Sequence, residues 1–578
     1  MKLFDVCSLA LAVSAGVGTA CHKPQPPQGP RPGESADLVF AGGDIWTMDA
    51  AHPHVTALAV RAGKIVALGT DRDVAAWIGP STRTVALAGR AVTPGLIDAH
   101  CHLYGLGMDL ENISVRDATS EADAVAAVAA SEQLKNWRLH TWLVGRGWDQ
   151  NRWPGGAFPS KKSLDSVLPP FSLSRPLLPI LLRRVDGHAI WVNSDALRIA
   201  GITKDTPDVP GGKIIRDANG EPTGVFVDNA VDLIEAHLPK PDAATRTARI
   251  VNASKVAVSL GLTGVHEMGI DDETAATYRE LAKTGQLPLH VHAFLAGNPK
   301  TASELAKNAP AAPVGRFAMP GVKFFADGAL GSRGARLYAD YDDEHGNLGL
   351  WVTEPSELTR AVNAAVDGGW QVAVHAIGDA GVGATLDAFA AARSTHRSGP
   401  ANVIKLRIEH AQVVAPADVK RMVATHAIAS MQPTHATSDM PWAEKRVGAS
   451  RIKGAYAWRT MLENDIPLAA GSDFPVEEPA PLRGIYAAVT RQDVAGTPAD
   501  GWYATQKLTL DEALAAFTIG AAFAAGAADQ RGMLAVGRAA DLTMYDRKLE
   551  ASRQLLETKI VMTVVDGDVV FDATGAAQ

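Results

Sequence analysis

The sequence predicts an α/β protein built on a (β/α)₈ TIM barrel. A large insertion follows strand one, and a small β-sandwich is formed by the N- and C-terminal segments. Three observations carry this expectation. Short apolar runs alternate with helical stretches between residues 92 and 529, and there are enough of them for eight strands. Segments of one β-rich grammar stand near both ends of the chain. Several of the apolar runs end in His, Lys or Asp, at the strand ends where barrel enzymes keep their active sites.

Residues 1–21 resemble an export signal: Lys2, then an apolar stretch from Val6 to Val17, then Gly18-Thr19-Ala20 before Cys21. That stretch is too short to span a bilayer. The residues before Cys21 resemble a bacterial lipoprotein cleavage site, although Gly18 stands where leucine is usual. This implies a lipidated Cys21 and an exported protein, periplasmic or membrane-anchored; ordinary secretion is the alternative. Residues 22–35 are proline-rich and lack hydrophobic anchors, which predicts an extended linker. With Cys7 removed and Cys21 lipidated, Cys101 remains alone and no intrachain disulfide is expected.

Residues 36–91 and 530–578 supply the composite sandwich. Leu38 to Phe40, Ala57 to Val60 and Lys64 to Leu68 read as strands, as do Asp541 to Tyr545 and Ile560 to Val565, with a turn at Asp566-Gly567. The barrel is expected over 92–529, with strands at 92–99, 261–267, 288–295, 321–326, 371–376, 405–410, 427–432 and 467–472. Helical stretches such as Glu357 to Val366, Val382 to Ala392 and Pro416 to Thr425 separate most of them. The gap after strand one is too long for a loop, so residues 103–250 are expected to form an inserted subdomain with its own strands. A net charge of −8 argues against a nucleic-acid partner. A small-molecule substrate is expected instead, and association of copies of this chain stays open.

His100 and His102, at the end of strand one, are separated by one residue and so share a side of a β-strand, as two ligands of one ion must. Lys323 on strand four, His375 on strand five, His410 on strand six and Asp473 after strand eight complete a set of nitrogen and oxygen donors. With TPGLIDAHCH, VDGHAIWVNSDAL, GVKFFADGALGSRGA, VHAIGDAG, RIEHAQ, SMQPTHATSDM and AAGSDFPVEEPAPL, the chain resembles the amidohydrolase superfamily. It is most similar to the amidohydrolase-3 branch, which includes N-substituted formamide deformylases.

The resemblance implies a metal-dependent hydrolase with His100, His102, Lys323, His375, His410 and Asp473 as metal ligands. An ordinary lysine would repel a cation; a carbamylated Lys323 would be an anion able to bridge two ions, and Zn²⁺ is the metal expected. Such a centre lowers the pKa of water from 15.7 to about 7, equivalent to roughly 12 kcal/mol of protonation free energy. The hydroxide so formed attacks a carbonyl, with Asp473 as general acid and base. The expected reaction is cleavage of a C–N bond in an amide, N-formyl or related compound. Esters, lactones, cyclic amides and carbamates are the alternative substrates, and a non-catalytic binding protein on the same fold is the alternative class.

Other readings stay open at this level. Lys323 has a salt-bridged core lysine as its alternative, and Asp473 a helix N-cap. His188 is a candidate substrate contact or a structural hydrogen-bonding group, and Arg333 binds a substrate carboxylate or, more simply, pairs with a neighbouring acid. Trp148, Trp153, Trp191, Trp351 and Trp442 line an apolar pocket or pack. His290 and His292 on strand three are expected to be structural. Alternation turns Glu409 away from His410, to an expected ion pair in the helical layer, and Cys101 into the core.

Overall fold

The computed structural model describes residues 30–31, 34–138, 141–167, 176–395 and 404–575. The export-signal stretch, Cys21 and most of the proline-rich linker lie outside them. Among the described residues, no helix is long and apolar enough to cross a membrane.

One eight-stranded sheet runs in sequential order: β1 (Leu96–Cys101), β2 (Leu262–Ile270), β3 (His290–Ala296), β4 (Phe317–Phe325), β5 (Gln371–Ala376), β6 (Leu406–His410), β7 (Ile428–Met431) and β8 (Leu468–Ala470). Every pairing within it is parallel. Parallel strands covered by helices are buried on both faces, which is why they read as apolar runs. Residues just past β8 close the ring on β1. The Asp473 N–H donates to the His100 carbonyl at 2.7 Å, and the His102 N–H to the Phe474 carbonyl at 2.8 Å. The buried Asp98 carboxylate accepts from the Ser472 hydroxyl at 2.6 Å, the Ser472 N–H at 3.0 Å and the His100 N–H at 3.1 Å.

The first predicted strand, 92–99, divides at Gly95. Ala91–Pro94 belongs to the sandwich and pairs antiparallel with Leu542–Tyr545, and β1 starts only at Leu96. Gly95 makes the step between sheets because its backbone presses on β2, where a Cβ would stand 2.2 Å from Thr263 Oγ1. A six-stranded sheet joins Asp44–Trp46, His54–Val55 and Ala91–Pro94 to Leu542–Tyr545, Ile560–Val565 and Asp568–Asp572. A four-stranded sheet from residues 38–86 faces it, and Phe40, Leu58 and Ile65 share one core with Leu542, Met544 and Val564.

The insertion carries its own six-stranded sheet, which includes Leu143–Trp148, Ile180–Arg184, Ala189–Val192 and Pro222–Asp228. Its far boundary falls earlier than the expected residue 250. Helix Ala243–Ser259 puts Ile250, Ala253 and Ala257 into the barrel's core and leads straight into β2. An apolar face that fits the barrel made this helix part of the barrel's outer layer.

Gly95→Ala is expected to lower stability by about 1–3 kcal/mol through overpacking against Thr263. Denaturant melts check this, and an unchanged midpoint would contradict the close approach described here.

Candidate metal centre

His100 lies within β1, and His102 is the first residue beyond it, at the N-cap of helix Leu103–Asp109. In both rings Nδ1 is already occupied. That of His100 donates to Glu409 Oε2 at 2.6 Å, and that of His102 to the Met268 carbonyl at 3.0 Å. His410 Nδ1 is held by Gln432 Oε1 at 2.8 Å, whereas in His375 it is Nε2 that meets the Gly328 carbonyl, at 3.3 Å. Outer hydrogen bonds of this kind fix the tautomer and leave the other nitrogen a lone pair. The free atoms are thus Nε2 of His100, His102 and His410 and Nδ1 of His375. The four rings form a chain, with centroids 5.7 Å apart for His100 and His102, 4.8 Å for His100 and His410, and 4.5 Å for His375 and His410.

Asp473 reaches the same point from the other side of the closed seam. Its backbone is left-handed, at φ 61°, and its Oδ1 lies 3.2 Å from His102 Nε2 and 3.5 Å from His100 Nε2. Two ligands on one tetrahedral ion, at bonds of about 2.0–2.1 Å, stand about 3.3 Å apart. Asp473 Oδ1 is buried with no hydrogen-bond partner. Lys323 Nζ lies 3.4 Å from His100 Nε2. Among the described residues, no carboxylate oxygen comes within 4.0 Å of that ammonium, so the salt-bridged core lysine is not what is found.

Burial sets the charges here. It pushes Lys323 down to about 8 and His100 down to about 4, the latter helped by Lys323. His375 and His410 are held well below the ordinary histidine range, again mainly by burial. Burial opposes ionisation of Asp473, but the neighbouring His100, His102 and His410 bring it well below the usual carboxylate range. Neutral imidazoles, one firm carboxylate and an orphaned oxygen fit a divalent cation.

Glu409 corrects the expectation of an ion pair in the helical layer. It points into the barrel, where Arg407 Nε donates to Oε1 at 2.8 Å and Arg407 Nη2 to Oε2 at 3.1 Å. Arg407 also donates to the Ala99 carbonyl at 2.6 Å and to Ser430 Oγ at 3.0 Å. Burial alone would raise Glu409, but Arg407 and His100 hold it down at about 2. His410 reaches the rim despite following Glu409 because its φ is +70°, outside the strand conformation on which alternation relies.

His188 stands beside His375, with ring centroids 4.9 Å apart, and its Nδ1 is held by Asp228 Oδ1 at 2.7 Å. Trp148 is no pocket wall. It is fully buried in the insertion's core, with its Nε1 on the Leu182 carbonyl at 2.8 Å and its ring 6.2 Å from Trp153 and 6.4 Å from Trp191. Arg333 is committed elsewhere, to Asp343 at 2.9 Å and Glu344 at 3.1 Å. His292 meets Gln371 Oε1 at 3.0 Å, His290 lies 3.3 Å from Asp566, and Cys101 is buried.

Several residues escaped the sequence reading. His435 stacks on His410, at 5.9 Å and 13°, and its buried Nε2 has no hydrogen-bond partner. The donor atoms of His410, His435 and Asp473 all lie within 4.8 Å of one another. Its signal was present, since Gln432-Pro433-Thr434-His435 follows β7 at the same rim. Asp98, two residues before His100, had the alternation signal as well. Asp228 had none, because only tertiary packing brings it to His188.

Comparison with known proteins finds matches over most of the chain. The profile described as "Amidohydrolase family" matches residues 83–571. The YtcJ protein of Bacillus subtilis (strain 168) is 32% identical over 542 residues, covering 92% of this chain and 99% of its own. N-substituted formamide deformylase of Arthrobacter pascens is 27% identical over 561 residues, covering 93% and 99%. Among solved structures, an uncharacterized metal-dependent hydrolase from Pyrococcus horikoshii OT3 superposes with a TM-score of 0.70 at 26% identity, covering 88% of this chain and 97% of that one.

Glu409→Gln removes the charge that holds His100 Nδ1 and leaves Arg407 without a counter-ion. Metal affinity is expected to fall about 10- to 100-fold, read by competition with a chromophoric chelator. Unchanged affinity would separate Glu409 from the site.

Proposed function

The chain belongs to the amidohydrolase family of metal-dependent hydrolases, and from that premise we propose that it cleaves a C–N bond in an amide, N-formyl or related compound. The observation that most supports this reading is the meeting of Asp473 Oδ1, orphaned and buried, with the free nitrogens of His100 and His102. We assign two divalent ions, zinc foremost, to His100, His102, Lys323, His375, His410 and Asp473. Lys323 takes part as its carbamate. Burial pushes the Lys323 amine down to about 8, so it is neutral more often than an ordinary lysine, and the neutral amine is the form that adds carbon dioxide and loses a proton. When bound, such ions acidify water and polarise a carbonyl.

The protein's own groups do the rest. The Asp473 carboxylate accepts the proton of the attacking water and passes it to the departing nitrogen, so that the C–O bond forms first and the C–N bond then breaks with the nitrogen protonated. The products are a carboxylic acid, formic acid in the N-formyl case, and an amine. His188 presents Nε2 to the substrate's carbonyl oxygen from beside His375, its ring held by Asp228. The closed seam keeps Asp473 in register with the histidines, so that proximity is established before substrate arrives.

Asp473→Asn is expected to lower kcat by on the order of 10²- to 10⁴-fold while most of the metal stays bound. Turnover near that of the natural enzyme would remove Asp473 from the proton path. Chelator treatment is expected to abolish turnover on amides and N-formyl compounds, and zinc added with bicarbonate to restore it faster than zinc alone. Native mass spectra with one ion per chain and an unmodified Lys323 would refute the carbamate-bridged pair, and hydrolysis of esters alone would refute the C–N assignment.

A further inference from the structure

Several arginines of the insertion and of the rim facing it pair with carboxylates or clamp backbone carbonyls. Arg184 is held by Gln150 Oε1 at 2.8 Å and by Asp149 and Asp186. Arg183 pairs with Glu235, and Arg446 with Asp343 and Asn151. Arg116 donates to the Pro475 and Val476 carbonyls, clamping the insertion to the segment that carries Asp473. Arg146 is held more loosely, by one backbone carbonyl. It is partly buried at the end of strand Leu143–Trp148, and among the described residues no carboxylate lies within 4.0 Å of it. Its Nη2 donates to the Val185 carbonyl at 2.9 Å, and its buried Nε has no partner.

The position of Arg146 gives that vacancy a meaning. Its Nη2 lies 3.6 Å from where a Gly187 Cβ would be, and Gly187 is followed by His188, whose ring is 4.9 Å from His375. The guanidinium therefore borders the wall of the reaction site rather than the outer surface. The nearest opposing charges, Asp109 and Asp473, act on it only at longer range. A planar fork of donors with no counter-ion matches a carboxylate better than any neutral group, and desolvating it without one is costly.

We propose that Arg146 binds a carboxylate of the substrate, so that this enzyme acts on acidic amides such as N-acyl or N-formyl amino acids. This rests on the C–N reading above and narrows it. The substrate's own carboxylate has no part in the bond cleavage, which Asp473 serves; Arg146 selects and orients.

The test compares two probes differing only in that group, N-formyl-L-phenylalanine and N-formyl-2-phenylethylamine, on the metal-loaded protein. Calorimetric affinity and kcat/KM are both measured. The acid is expected to be favoured on the order of 10- to 100-fold in each. Arg146→Gln should bring both ratios close to one, and Arg146→Lys, which keeps the charge but not the fork, should give an intermediate value. Equal preference in the natural protein, no detectable binding of the acid, or a ratio unchanged in both variants overturns the proposal. Turnover of both probes without preference overturns it while leaving the amide reading intact. Preferential binding of the acid through Arg146 without turnover of either probe does the reverse.

Discussion

Closure of the barrel between β8 and β1 is the constraint on which the candidate site depends. Asp473 and His100 are far apart in the chain, yet the Asp473 N–H donates to the His100 carbonyl, so one hydrogen bond both shuts the ring and sets the carboxylate beside two imidazoles. Asp98 secures the joint from within, accepting two hydrogen bonds from Ser472 across it and one from His100 on its own strand, and is pushed up to about 7 by its burial. Gly471 permits the close passage, since a Cβ there would stand 2.5 Å from the His100 nitrogen. Structure and chemistry share the same few atoms.

Charge inside the barrel is arranged around that joint. Arg407 and Glu409 form a fully buried pair, and removing one member of such a pair typically costs about 3–5 kcal/mol. The pair is not only structural, because the second oxygen of Glu409 holds His100 in the tautomer that frees Nε2. Lys323, by contrast, is buried with no carboxylate oxygen within 4.0 Å among the described residues. A lysine so placed is unfavourable in an inert core and makes sense where its amine has chemical work.

The insertion supplies the other wall. Its tryptophans pack into its own core, leaving polar groups at the ends of its strands to face the barrel mouth. His188, steadied by Asp228, and Arg146, lacking a counter-ion, lie on that side. Arg116 ties the wall to the segment after β8 through two backbone carbonyls. The insertion is thereby tied to the segment that carries Asp473, from which it is remote in sequence.

Much of this was legible in the chain. Apolar runs of strand length, alternating with helices, determined the eight-stranded barrel, because burial on both faces of a parallel sheet leaves that mark on composition. His100, His102, Lys323, His375, His410 and Asp473 stood out because a polar donor at the end of a buried strand has little structural reason to be there. Tertiary structure alone decided three things. It divided the first predicted strand at Gly95, where a steric contact with Thr263 is invisible in the sequence. It turned Glu409 inward and His410 to the rim, since a left-handed backbone angle cancels the alternation rule. It also brought Asp228 to His188 and, among the described residues, left Arg146 with no carboxylate within 4.0 Å, because side-chain partners across an inserted sheet follow from packing and not from spacing.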